Sequence, residues 1–544
     1  MHDKLPSKTQ TLLLGLAIFA VAVFTACDGS ALDRAVPSKT LNRSINAAPE
    51  AFDIHRFKSV EAGKLLRDIG EGLTAYTAGG QLVPGVAVRW DVSADGVEYT
   101  FYLRPEAKWS NGDPVRAADF QAAFRRLVNP ATAATSAKFL NMVRNADAII
   151  AGEKLPHELG VEAIDEMTLR VALESPTPYF LQLLTHPSTF PIHGPSLQQL
   201  GDRSSRAGNL ITNGAYGLVE DNVGASVVLK RNRFYWNDDE TYFDKVVYHV
   251  LSPEAEIMRF RAGGLDITSN VAESAFAQMR ENYPEELKVS PALGIYYYGF
   301  NLTKPWLRDN PKLRKALSMA IDRDVLTTKI KGRGELPAYG WVPPGVDNYT
   351  PQSLSYKNWS QEQRVAEAKR LYRESGYGPD NPLEIELRYN VMGGHEKVAT
   401  AIQSMWRQTL GVQARLVNEE LKVMLANIQE MKITEVFRLS WSGDYNDAYT
   451  FLQLVESDNP QNLTAYTNPR VDRLLHKAAT ENDLTVRRGY LEDVERISLD
   501  DHPVIPLYFY VTKHMVAKDI EGWAPMALDY HYSRHLRRSA VGPE

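Results

Sequence analysis

Cysteine is nearly missing from this chain: there is one in 544 residues, Cys27. That excludes an intrachain disulfide and a thiolate metal site. A basic excess is missing too. Lys and Arg number 61 against 67 Asp and Glu, for a net charge of −6, so the chain lacks the basic character of a nucleic-acid binder. Its most apolar opening run, Leu12 to Phe24, has 13 residues, where a transmembrane helix needs about 20. Enzyme signatures are missing as well: no GxSxG, no HExxH, no Walker loop, no GxGxxG. No catalytic residue, cofactor or metal is expected.

What is present is a long, mostly soluble sequence. Hydrophobic residues make up 44% and charged residues 24%, and the length calls for two or three domains. The aromatics include 26 Tyr and 9 Trp, which suits ring-lined walls around a ligand as well as large cores.

Lys4 and Lys8 precede the apolar run, as in an export signal. Phe24-Thr25-Ala26-Cys27 resembles a lipobox, with Phe24 where Leu is usual. Residues 1–26 then read as a lipoprotein signal peptide, Cys27 as the lipidated residue and 27–38 as a flexible tether. A plain cleaved signal is the alternative. Asp28 after the cysteine implies retention on the periplasmic face of the inner membrane.

Strand and helix patterns alternate along the rest. Tyr99, Phe101 and Leu103 share one face at period two, in a stretch read as two strands around a turn, VEYTFYLRPEAKWSNGDPV. AADFQAAFRRLVN has a helical stripe of Phe120, Phe124 and Leu127. KLRKALSMAIDRDVLTTKI reads as one helix. EIELRYN, HEKVATAIQSMWRQTLG and VQARLVN read as strand, helix, strand. No linker divides the chain, so its domains are expected to be discontinuous.

One short run, RLSWSGDYND, holds a cation, an indole and a carboxylate. If it is extended throughout, Arg438 and Asp444 face the same side, about 20 Å apart at roughly 3.3 Å per residue. Such a pair suits a ligand with one positive and one negative end. An ordinary ion-paired loop is the alternative.

The stretch PGVAVRWDVSADGVEYTFYLRPEAKWSNGDPVRAADF resembles the signature region of the peptide-binding extracytoplasmic solute receptors of ABC transporters. TNGAYGLVE, RNRFYWND, IYYYGFN, ALSMAIDRD, AYGWVPPG, SWSGDYND and IPLYFY extend the resemblance over most of the chain. It implies an α/β, two-lobed, type II periplasmic binding protein fold with an extra domain and hinge strands. Lobe I would be 39–60, 193–294 and 511–544, the extra domain 61–192, and lobe II 295–510. It implies a monomeric, non-enzymatic receptor that closes on short peptides and hands them to an inner-membrane permease. A dedicated murein-peptide receptor is the runner-up, and an envelope chaperone a further possibility.

By the same resemblance, Asp444 would bind the ligand ammonium, and Arg438 and His395 its carboxylate. Trp441 and Tyr510 would line pockets, with Ser442 and Gly443 offering backbone. Asn270 would approach from the opposite lobe, and Lys304 would meet the carboxylate of longer ligands. Each has a plain structural alternative: a turn cap for Asp444, an ion pair for Arg438, core packing for Trp441, a solvated surface for Lys304. The family's acids are replaced here by Ala48 and Gly299, and its rings by Leu421 and Ser136. A weaker preference for cationic side chains follows.

Overall fold

The computed structural model describes residues 39–539 except 392, 432 and 433. The signal peptide, Cys27, Asp28 and most of the tether lie outside the described residues. No helix among the described residues is long and apolar enough to cross a membrane.

The chain opens with β1 (Thr40–Ile45) and α1 (Val60–Ile69). Ser59 caps α1 by accepting from the Ala62 N–H, the usual remedy for a free helix start. α1, expected at the beginning of the extra domain, instead buries Leu65, Leu66 and Ile69 in the same core as Leu41 and Ile45 of β1.

An inserted unit follows, with β2 (Ala87–Val92), β3 (Glu98–Leu103), α2 (Ala117–Val128), β4 (Val161–Ala163) and β5 (Thr168–Ala172). Its sheet runs β2-β3-β5-β4, antiparallel throughout. Tyr99, Phe101 and Leu103 of β3 do point inward, against Phe120, Phe124 and Leu127 of α2. The expected second strand after β3 does not form. β3 pairs with β2 before it, and only a lone bridge, Lys108 to Pro114, marks the later turn.

The chain then returns through β6 (Tyr216–Asn222), β7 (Ser226–Arg231) and β8 (Lys245–Val250). β8 pairs in parallel with β1, giving the order β1-β8-β7-β6.

The larger sheet is built from β9 (Leu287–Phe300), β10 (Leu336–Pro337), β11 (Glu384–Asn390), β12 (Gln413–Glu419), β13 (Val436–Ser442) and β14 (Val504–Met515). The order is β10-β14-β9-β13-β11-β12. β11 and β12 are parallel and joined by the helix α3 (His395–Leu410), since a parallel pair needs a long crossover. The helix expected over 312–330 is broken: it runs Pro311–Met319, and Asp322 caps a new start.

β9 and β14 serve both lobes. Leu287 to Pro291 pair with Met515 to Val511, and after a register shift Ile295 to Gly299 pair with Phe509 to Val504. Met515 belongs to a small core with Phe260 and Met279, whereas Ile295 and Phe509 belong to the large core of the second lobe. The bulge between Pro291 and Ile295 lies where the strands change lobes.

Candidate functional site

Arg438 sits near the middle of β13, opposite Tyr298 of β9, with Ser440 opposite Tyr296. Period two puts Arg438 and Ser440 on one face and Leu439 and Trp441 on the other. Arg438 is 9% exposed, and its guanidinium donates to Asn390 Oδ1 at 3.2 Å, Ser440 Oγ at 3.1 Å and Tyr510 OH at 3.4 Å. It stands 4.7 Å above the Tyr296 ring. Its Nε has no partner, and among the described residues no carboxylate pairs with it. A desolvated cation held only by neutral groups is incompletely compensated.

Tyr296 stacks on Tyr508 at 4.5 Å, and Lys331 lies 5.8 Å from the far ring. Burial, and Arg333 nearby, push the Lys331 ammonium below its usual range. It has no hydrogen bond or ion pair among the described residues. His395, the first residue of α3, places its ring 5.4 Å from Tyr296. Burial, then the charges of Arg438 and Lys331, lower its pKa to about 4. At neutral pH it is an uncharged donor at a helix N-terminus, where the backbone dipole adds positive potential.

The extended run stops at Ser442, so the same-side argument does not reach Asp444. Gly443 N–H donates to Leu293 O at 2.9 Å. A Cβ there would come within 2.7 Å of Leu293 Cδ2 and 3.0 Å of Thr450 Cγ2, which accounts for glycine at the bend. The next residues are fastened on several sides. Tyr445 stacks on Tyr179 of the inserted unit at 4.2 Å. Asn446 accepts from the Asp347 N–H at 3.3 Å. Asp447 is ion-paired with buried Arg487 at 2.6 Å.

Asp444 is the exception. Its side chain reaches solvent, yet surrounding protein raises its pKa by desolvation. Among the described residues it has neither donor nor cation. The bend therefore presents a carboxylate held in position and left unneutralised.

Trp441, half-buried, packs against the large core and points Nε1 at Thr450 Oγ1, 3.4 Å away. Ser442 is exposed opposite Gly294. Tyr510 joins the Arg438 cluster through its hydroxyl. Asn270 is exposed on a first-lobe loop, and its Oδ1 accepts from the Val271 N–H at 2.7 Å. It contacts neither Arg438 nor Asp444 in this arrangement.

Lys304 is not brought to the cluster. It stands just before the short helix Pro305–Arg308, without a side-chain capping bond, and lines a groove with Glu384 and Glu386 at the start of β11, while Arg438 meets Asn390 at that strand's end. The lysine whose charge reaches His395 is Lys331, which the sequence reading missed. KIKGRG is visibly cationic, but only the crossing of β14 and β9 carries its neighbourhood to Tyr508 and Tyr296. At Gly299 a Cβ would lie 2.7 Å from the Phe437 ring, so that ring closes the place where an acid would stand. Ala48 and Leu421 are exposed and Ser136 is half-buried.

Residues 81–462 match the family described as Bacterial extracellular solute-binding proteins, family 5 Middle. The chain is 35% identical over 525 residues to the periplasmic oligopeptide-binding protein OppA of Escherichia coli K12, covering 96% of both. It superposes on the unliganded open form of the murein tripeptide binding protein MppA with a TM-score of 0.88, at 36% identity over 92% of this chain and 98% of that one. On Haemophilus influenzae OppA in complex with RPPGFSPFR the TM-score is 0.68, at 35% identity over 92% and 99%. The higher score falls on the open form, in keeping with an Asp444 that solvent still reaches. With two lobes, a pair of crossing strands and a match over most of its length, the chain belongs to the family 5 bacterial extracellular solute-binding proteins.

Proposed function

We propose that this chain is a receptor for short peptides that holds them by both termini between its two lobes and delivers them to an ABC permease, without chemistry of its own. The observation that carries the reading is the pair of uncompensated charges on one strand and its bend, Arg438 and Asp444. A peptide zwitterion supplies the complement of each. Its ammonium would meet Asp444, and its carboxylate Arg438 and neutral His395. Backbone pairing along Ser440 to Gly443 would add affinity that is blind to sequence, and Trp441 and Tyr510 would border the side-chain spaces. Asn270 would join from the first lobe on closure. In the same reading Cys27 carries the lipid that keeps the receptor at the periplasmic face of the inner membrane, and the receptor acts as a monomer.

Calorimetry with trialanine, its N-acetyl form and its C-terminal amide tests this. Each block should weaken binding at least tenfold. Equal affinity for all three would overturn the reading.

A murein peptide is the second reading. It is favoured by Lys331, a second cation near His395 that has no ion pair among the described residues, which suits a ligand with more than one carboxylate.

A further inference from the structure

The first-lobe end of β14 gathers two imidazoles and a carboxylate. His514 Nε2 lies 2.8 Å from Asp529 Oδ1, and His531 Nε2 lies 3.1 Å from the same oxygen. The three potential ligand atoms fall within 4.8 Å of one another. Both imidazole side chains are 6% exposed.

The hydrogen bonding around His514 is informative. Its Nδ1 lies 2.9 Å from Thr268 O, and a carbonyl can only accept, so Nδ1 carries a proton. Nε2 faces a carboxylate oxygen at 2.8 Å, a contact that suits either an imidazolium–carboxylate ion pair or a metal ion held between the two atoms. A backbone carbonyl on the distal imidazole nitrogen is the support that metal-bound histidines regularly have.

Distances fit as well. Ligand atoms on one tetrahedral zinc stand about 3.4 Å apart, given bonds of about 2.1 Å. The two imidazole–carboxylate separations fall slightly short of that spacing, and the whole set lies within 4.8 Å, so the side chains would shift on metal binding. Trp523 stacks on His531 at 3.6 Å and walls the site on one side. The three residues line a cavity of about 20 Å³, room for one water-sized species.

Three cations share that cavity wall. Lys64 donates to Ser269 Oγ at 3.1 Å, Arg43 to His531 O at 2.7 Å, and Arg67 lies over the Tyr530 ring at 3.5 Å. Their charge opposes a divalent ion and sets the affinity below that of an all-anionic site.

We propose that His514, Asp529 and His531 form a binding site for a borderline divalent cation of the Zn(II) class, tying the loop that carries Asp529 and His531 to the hinge strand β14. This departs from the expectation of no metal. His531 and His535 stand four residues apart in sequence, a metal-like spacing. Even so, His535 turns away to Tyr76 O at 3.1 Å, and the partner that matters, His514, is set by the fold. Nitrogen-rich ligands disfavour Mg(II) and Ca(II).

The test uses tag-free full-length protein stripped with chelator, then titrated with ZnCl2, with bound metal counted after gel filtration. One zinc per chain is expected, with a rise in Tm. Affinity should fall at least tenfold in His514→Gln and in His531→Phe, which keeps a ring against Trp523. It should hold in His476→Gln, an exposed control. No retained zinc, or equal retention in both site variants, would overturn the proposal. So would nitrogen NMR showing His514 protonated on both nitrogens with zinc in excess.

Discussion

Arg487 grips Asp447 through both carboxylate oxygens, at 2.6 and 2.9 Å, while Asp444, three residues earlier, is gripped by none of the described residues. Two aspartates in one short run thus serve opposite ends, one the fold and one the ligand. Asp444→Ala should reduce peptide affinity about a hundredfold or more and leave Tm unchanged or slightly raised. Asp447→Ala should cost about 3–5 kcal/mol of stability, because it strands a buried guanidinium. Calorimetry and denaturant unfolding of the two variants separate these effects.

The pH dependence of binding has a definite sign. Desolvation raises the Asp444 pKa in the free protein, and a bound ammonium would lower it again. Affinity should therefore be fully present above the free-protein pKa and fall as pH drops through it. The same raised pKa makes Asp444 a small liability to the unliganded fold, one that is relieved as pH falls. In Asp444→Asn this part of the pH slope should vanish from titrations run at several acidic pH values.

His395 should titrate near 4 in the free protein. A ligand carboxylate beside it favours the imidazolium, so peptide binding should move that titration upward. Proton NMR of the imidazole, with and without peptide, reads the shift directly. A downward or absent shift would detach His395 from the ligand's carboxylate end.

Gly443→Ala forces a methyl group to 2.7 Å from Leu293. The expected cost is about 1–3 kcal/mol in unfolding experiments. Affinity should drop as well, since the bend is what aims Asp444.

Phe437 fills the space at Gly299, and Ala48 offers no acid. Lysine-bearing tripeptides should accordingly bind no better than neutral ones. A panel in which Lys-rich tripeptides outrank every neutral tripeptide would remove this reading.

Regular alternation made β3 legible, because one wet and one dry face is a local property of the sequence. The unit β11-α3-β12 was legible for the same reason, with the turn before His395 marked by Gly393 and Gly394 at positive φ. The stop at Ser442 was not, because it depends on Leu293 from another strand occupying the space beside Gly443. Arg438 and Asp444 were readable as a pair of charges. Their lack of an oppositely charged partner among the described residues was not, since a partner elsewhere in the chain would leave the same local sequence. Lys331 owes its place to Tyr508 on a distant strand, and His514 its proposed role to a loop that folds back to bring Asp529 and His531 to it, neither of which periodicity registers. Asp322 capped a new helix inside a run whose helical periodicity was otherwise continuous.

The bulge between Pro291 and Ile295 has a bearing on how the molecule melts. The two lobes and the inserted unit keep separate apolar interiors, and two strands with a slipped register are a narrow path for cooperativity between the lobes. Heat should then dissolve the molecule in stages, without one shared midpoint. A ligand that touches both lobes would couple the stages, so the breadth of the calorimetric transition becomes a gauge of occupancy.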